Sequence, residues 1–594
     1  MRLVIHRNIP EDQNLRDQWN ALVREMECPE VFYTYEWAKA VDRSLHASMT
    51  PLLLLAYDEG KLVGLASLAT DSARRKTFSL ASTTSDYCDF VSSPQSRTEL
   101  VDAVFAELRK LKMPELVLAS LPAGSATVRA LAAGRKHGYT MFSRPACFCA
   151  QIELGSPEQK EATKEAVQRK QVLRRNIKAM TKIAPVKLDH RKSWESIAEV
   201  LPGFIKAHVA RFLATGRTSF LTRPERQVFL AELAKLLAGP GWVNVSCLMV
   251  GEQQVAWNYG FQFAGSWFWY QPTFDGHFQR HSPGLCLLAK IVEEACDDPE
   301  INRVDLGLGA EDYKGWLSTG GQQTLHITAT TSKIRCAKEF LRYHAAVVIK
   351  RMPRVENWVR AALCRFSSLR QRLRTKGTYV FAAWLVRRCK MPLYGRTEVF
   401  FFEWPQNCDP AAERAHLYSL TLQPVDLDML AVAAMHYVDD QETMTYLLRA
   451  AERLRSEKSQ GFALVTSEGV PVNYCWVTDF ENFYMFELDY KLKAPSPNSV
   501  MFFDCWTPRS ARGNGYYGKT IAAVASQLSS AGKLPWIFSV DTNVSSLRGV
   551  EKSGFERRFS LIRKRLLFMN RVVQSRPFAP VRPMSDASPP AQAI

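Results

Sequence analysis

The sequence predicts an α/β (α+β) protein of three similar lobes, each a mixed central sheet flanked by helices, with a basic helical linker before the last. Three observations predict it. At 594 residues the chain is too long for one hydrophobic core, and three or four domains is the natural expectation. An order of helices, then a hairpin with an acid in its turn, then strand and helix comes round three times. The hairpin turns are Asp58-Glu59-Gly60-Lys61, Gly251-Glu252-Gln253-Gln254 and Ser467-Glu468-Gly469-Val470. With 46% hydrophobic and 23% charged residues the composition is that of a globular protein.

In the first block, 1–155, helices are expected at 14–26 and 36–41, strands at 52–57 and 62–68, and a helix at 100–111. The second block, 156–330, opens with a basic helix over 164–182. Helices follow at 194–213 and 224–237, then strands at 243–250, 255–263 and 266–271, then a helix at 284–296. A basic linker, 331–396, leads to the third block, 397–570. There helices are expected at 427–433 and 441–456, and strands at 462–466, 471–477, 483–488 and 500–506. A helix at 519–531, a strand at 536–540 and a closing helix and strand complete it. The tail, 571–594, has few bulky apolar residues and reads as disordered.

Net charge is +18, and 331–396 carries most of it, with 17 Lys/Arg against Glu339 and Glu356. A charge so concentrated points to a polyanionic partner. The N-terminal residues lack the long apolar core of a secretory signal. The apolar stretch 379–386 is far short of a membrane span. A cytoplasmic protein is expected, one that can sit peripherally at the inner face of the membrane. Its 13 cysteines include no Cys-x-x-Cys pair, so neither metal nor a disulfide framework is expected.

The sharpest motif is Arg512-Gly513-Asn514-Gly515-Tyr516-Tyr517-Gly518-Lys519, after the apolar run 500–506. Strand, basic glycine-rich turn and helix together aim bare backbone N–H groups at an anion. Asn543-Val544-Ser545-Ser546 and Lys552-Ser553-Gly554-Phe555 follow. The series resembles the acetyl-CoA pyrophosphate turn, next helix and last strand of the GNAT acyltransferase superfamily. That resemblance implies acyl-CoA as co-substrate, held by residues 512–518 with Asn543 and Ser546. A main-chain donor at Trp506-Thr507 would polarise the thioester. Tyr517 stands where the family has a second Gly or Ala, and Val550 where it often has an acidic Tyr. Asp504, Glu487 and Asp489 are the candidate bases.

A second constellation is His281-Ser282-Pro283-Gly284, with Ser282 as N-cap, followed by Asp305-Leu306-Gly307 and Tyr313-Lys314-Gly315-Trp316. With Arg174-Arg175-Asn176-Ile177-Lys178 it resembles the CelD-like family associated with bacterial cellulose biosynthesis, over about 1–330, and shares a paired-lobe design with Fem-type peptidyltransferases. The resemblance implies GNAT-like lobes, the first structural. It also implies an acceptor role for Asp305, Lys314 and His281. The aromatic cluster Trp257, Trp267, Phe268, Trp269 and Tyr270 reads first as core; Trp267 and Trp269 fall on one face of a strand, and the alternative is that sugar rings stack there.

These readings converge on an acyl-CoA-dependent N- or O-acyltransferase acting on a saccharide or lipid-linked envelope precursor. The rivals are a tRNA-dependent Fem-type aminoacyl transferase and a non-catalytic scaffold of a polysaccharide synthase. For the basic linker the alternatives are a solvated helix, an anionic lipid surface engaged through Trp358, Phe366, Phe381 and Trp384, or, least favoured, nucleic acid.

Overall fold

The computed structural model describes residues 1–45, 49–71, 75–134, 137–309, 311–352, 355, 394–405, 420–566 and 569–575. Of the tail expected to be disordered over 571–594, residues 571–574 belong instead to a strand that pairs with its neighbour, and the rest from 576, like the linker aromatics at 358, 366, 381 and 384, lies outside these residues. The chain divides into two compact units, Met1–Arg211 with Ser219–Pro353, and Phe212–Thr218 with Arg354–Ile594.

The first unit is built on one 13-stranded sheet. Its strands are β1 (Arg2–His6), β2 (Thr50–Asp58), β3 (Lys61–Asp71), β4 (Lys76–Ser79), β5 (Val91–Ser92), β6 (Glu115–Pro122), β7 (Thr140–Glu153), β8 (Val186–Arg191), β9 (Val243–Val250), β10 (Gln253–Phe263), β11 (Ser266–Phe274), β12 (Arg303–Leu308) and β13 (Gly320–Thr330). Apart from β5, which pairs with β3, the order is β1-β2-β3-β4-β6-β13-β7-β12-β11-β10-β9-β8. The long strand β7 makes the two halves continuous. It carries β13 along 140–151 and β12 over 149–153. Strand β13 in turn crosses back to pair with β6.

Each half holds one parallel pair, β4 with β6 and β11 with β12. The crossovers use the helices Arg97–Lys110 and Pro283–Asp297, as parallel neighbours require. Residues 52–56 are all buried, as befits a strand covered on both faces. The helix Pro283–Asp297 packs Cys286, Leu287, Ile291 and Val292 against β11 and β12 in one core cluster.

The second unit has an 8-stranded sheet. Its strands are β14 (Tyr394–Glu403), β15 (Leu420–Pro424), β16 (Gln460–Thr466), β17 (Pro471–Asp479), β20 (Ser499–Trp506), β21 (Leu534–Val540), β22 (Glu556–Leu566) and β23 (Met569–Gln574). The strands β18 (Tyr484–Met485) and β19 (Tyr490–Lys491) form a separate ribbon. The main order is β15-β16-β17-β20-β21-β14-β22-β23. Again one pair, β20 with β21, is parallel and is crossed by a helix, Tyr516–Ser530.

Four local expectations are corrected. The basic helix over 164–182 is two helices, Pro157–Arg169 and Gln171–Thr181, broken where Lys170 turns extended. A capping box of Ser156 and Gln159 starts the first of them. The strand expected at 483–488 is only the ribbon β18–β19, because Asn482 and Asp489 hold positive φ values of 62° and 53° at its two bends. The helix after the glycine turn starts at Tyr516, not 519. Ser282 sits at φ 46° and makes no side-chain cap, so Pro283 alone opens that helix. Among the described residues no helix is long and apolar enough to cross a membrane, and no cluster of His, Cys, Asp or Glu could hold a metal ion.

Candidate active site

In the second unit β20 and β21 run paired from Ser499↔Leu534 to Phe502↔Ile537, and there the pairing stops. Beyond it β20 follows β17, with a bulge that leaves Asp504 and Cys505 opposite one residue. Strand β21 meanwhile follows β14 to Val540. Two strand edges therefore face each other without ladder hydrogen bonds. Between them opens a cleft of about 1140 Å³, lined by Phe503–Trp506 on one side and Phe538–Val540 on the other.

The glycine turn closes one end. Gly513 and Gly515 hold φ values of 89° and 72°, and a Cβ on either would meet nothing within 4 Å. Glycine is needed there for the hand of the backbone, not for space. Gly515 is also the N-cap of the helix Tyr516–Ser530, so no side chain occupies its end. The first-turn N–H groups lack intrahelical partners, and Tyr516, Tyr517 and Gly518 line the cleft. A second helix, Val544–Lys552, starts at the same cleft. Its N-cap Asn543 accepts from the Ser546 N–H at 3.2 Å. Tyr517 and Ser546 tie the two ends together, hydroxyl to hydroxyl at 3.2 Å. The Tyr517 ring fits because residue 549 is glycine: a Cβ there would lie 2.6 Å from it. Burial pushes the Tyr517 hydroxyl well above its ordinary pKa.

Arg512 forms the lip. Its Nε donates to the Thr507 carbonyl at 3.1 Å, and its guanidinium lies 5.3 Å from the Trp506 ring centroid. Trp506 stacks on Tyr446 at 5.4 Å and donates from Nε1 to Thr443 at 3.1 Å. Asn473 braces the same corner, donating to the Trp506 carbonyl and the Thr507 hydroxyl. Asn514 does not line the cleft; its amide donates to the Ala511 carbonyl at 3.3 Å and steadies the turn.

At the far end stand two acids. Asp504, at φ 42°, points its carboxylate to Arg453 at 2.5 Å. Arg453 is held between Trp476 and Phe503 at 5.4 and 5.3 Å. Glu487 also lines the cleft, beside Phe483 and Phe486. Asp489 does not: it accepts from Tyr484, and from Asn570 at 3.2 Å. Arg449 and Arg453, on the helix Gln441–Ser456, escaped sequence reasoning. Their spacing from Tyr446 puts all three on one helix face, which is the signal that could have found them.

The second constellation is closed. Asp305 is 1% exposed and accepts from Tyr87 at 2.8 Å, Gln151 at 2.7 Å and the Gly307 N–H at 2.8 Å. Lys314 is buried too; it donates to the Leu308 carbonyl at 2.7 Å and pairs with Glu311 at 2.9 Å. Neither is open to a substrate, contrary to the expectation. Asp86 lies against Gly307, and burial, with the Asp305 charge beside it, pushes its carboxyl up to about 7. Trp267 and Trp269 do share a face, but that face is core, each 3% exposed, so no sugar can stack there. His281 ends a short 3₁₀ turn and its Nε2 accepts from Arg280 at 3.1 Å.

Residues 167–315 match the family model described as an acetyltransferase (GNAT) domain. The chain carries a GNAT-type acetyltransferase domain. It is an acyltransferase enzyme. No curated protein matches the chain. Among solved structures, FemX is 9% identical over 55% of this chain and 97% of its own, with a TM-score of 0.39. A tandem GNAT protein from the clavulanic acid biosynthesis pathway is 14% identical over 56% and 99%, at 0.34. L-PGS from Bacillus licheniformis is 9% identical over 53% and 92%, at 0.36. Likenesses at this level bear on neither donor nor acceptor.

Proposed function

We propose that this GNAT-type enzyme transfers an acyl group from a CoA thioester to an amine or hydroxyl, and that the cleft of the second unit is its donor site. The observation that carries this reading is the pair of helix N-termini meeting where two parallel strands part. The open N–H groups that follow Arg512, over residues 513–518, with the Arg512 side chain at the lip, suit a pyrophosphate. The two unpaired strand edges suit an extended arm bearing amides, which needs donors and acceptors on both sides. Asn543 and Ser546 border the same anion end.

In the reaction the acceptor's nitrogen or oxygen bonds to the thioester carbon, the carbon–sulfur bond breaks, and the sulfur leaves as thiol. Glu487 is the base we favour for the acceptor's proton. Asp504 is the weaker candidate, because Arg453 already claims its carboxylate. A main-chain donor at Trp506-Thr507 would steady the carbonyl oxygen as charge develops. The acceptor we infer is a saccharide or lipid-linked envelope precursor, an inference that rests on the CelD-like resemblance of the first unit.

Calorimetry with acetyl-CoA tests the donor site. Heat of binding with the wild type, lost in Gly515→Asp, is the expected result. No heat with the wild type would overturn it, and activity requiring charged tRNA but not CoA would favour aminoacyl transfer instead.

A further inference from the structure

The helix Lys333–Lys350 follows β13 in the first unit and buries none of its residues. One of its faces is occupied. Phe340 and Tyr343 meet Phe142 with ring centroids 5.7 and 5.9 Å apart, Arg144 lies over Tyr343, and Arg335 reaches Glu115 at 2.6 Å.

The opposite face is apolar, and among the described residues nothing covers it. Ile334, Leu341 and Val348 recur at seven-residue spacing. At about 3.6 residues per turn they form a stripe that stands across the helix from Tyr343. They are 83, 66 and 52% exposed. Met352, just past the helix end, continues the stripe at 51%. Lys333, Lys338, Arg342 and Arg351 border it, and the helix holds a single acid, Glu339.

The charges decide what can cover such a face. A second copy of the helix would bring cations against cations. So would the remainder of 331–396, a segment with 17 Lys/Arg and two acids in all. A nucleic acid would satisfy the cations and leave Ile334, Leu341 and Val348 in water. An anionic bilayer satisfies both, with the aliphatic stripe among the acyl chains and the cations at the headgroups.

We propose that the helix Lys333–Lys350 docks the protein on an anionic lipid surface, stripe inward. This goes beyond the acyl-transfer reading and does not depend on it. Docking would hold the enzyme where a lipid-linked acceptor is displayed.

The test is flotation of the full-length protein with vesicles of phosphatidylcholine, with and without phosphatidylglycerol. The wild type floats with the anionic vesicles. The triple variant Ile334→Ser, Leu341→Ser, Val348→Ser keeps every charge and loses no core contact. It partitions roughly tenfold or more weakly, because the aliphatic insertion is gone. The double variant Lys338→Glu, Arg342→Glu also weakens, with a loss that shrinks as salt rises. Triple-variant binding equal to the wild type would overturn the proposal. So would wild-type binding as strong to neutral vesicles, or retention on RNA with no flotation at all. Acetyl-CoA calorimetry, run without vesicles, reports on the donor site alone, so the two readings fail separately.

Discussion

The Asp305 cluster and the 512–518 cleft look alike as sequence and are opposites as structure. Both place glycines and a cation after a strand of a parallel pair. In the first unit the strand end turns inward: Asp305 is capped by three donors, and Lys314 spends its ammonium on carbonyls and on Glu311. In the second, the helix end has no side-chain cap and the neighbouring strands separate. The family match nevertheless falls at 167–315, on the closed element. A segment can thus keep the pattern of a fold while its polar groups are used up internally. Room for a ligand has to be read from unsatisfied groups facing open space.

Substitutions can break or sharpen this contrast. The largest effect is expected from Asp305→Ala, which leaves the Tyr87 hydroxyl, the Gln151 amide and the Gly307 N–H buried without an acceptor. It should cost about 4 kcal/mol of first-unit stability, seen as a lowered first transition in scanning calorimetry. Acetyl-CoA binding measured below that transition should persist; its loss in a folded sample would make the closed cluster part of the site. Next comes Gly515→Asp, which strains a φ of 72° and sets a carboxylate among the anion donors. Acetyl-CoA should bind about a hundredfold more weakly.

Glu487→Gln should lower turnover by about a hundredfold while acetyl-CoA binding holds. An unchanged rate would shift the base to Asp504 or to water. Arg512→Ala removes the cation at the lip and should weaken acetyl-CoA about tenfold, with a smaller difference at high salt.

The gentlest probe is pH. Asp86 holds its proton up to about 7 in the folded chain, against 3.8 as its ordinary value. Between those values the folded state binds more protons than the unfolded one, so stability falls as pH rises through that window and levels off above it. Asp86→Asn should flatten the fall. Parallel curves for variant and wild type would remove Asp86 from the account.

The order of elements was legible because each carries a strong local signal. Hairpin turns such as 58–61 and 467–470, and helices such as Gln441–Ser456, follow from residue pattern alone. The glycine turn was legible for the same reason, since a positive φ at Gly513 and Gly515 is a property of the residue. What local pattern leaves open depends on partners distant in sequence. Trp267 and Trp269 share a face by strand periodicity, yet periodicity does not say whether that face meets water or the helix Pro283–Asp297. Strand β13 inserts beside β6, some 200 residues earlier in the chain by the register Thr330↔Glu115, a pairing no local pattern announces.

By itself the sequence determined the lobed α/β architecture, the glycine turn and the concentration of charge in 331–396, because these follow from residue type and spacing. Only the tertiary structure decided which polar groups are left for a ligand. Asp305 and Lys314 find partners across the sheet, whereas the N-termini at Tyr516 and Val544 open on a cleft. Satisfaction of a buried polar group is a matter of what the fold brings beside it, and that is fixed by packing rather than by neighbours in the chain.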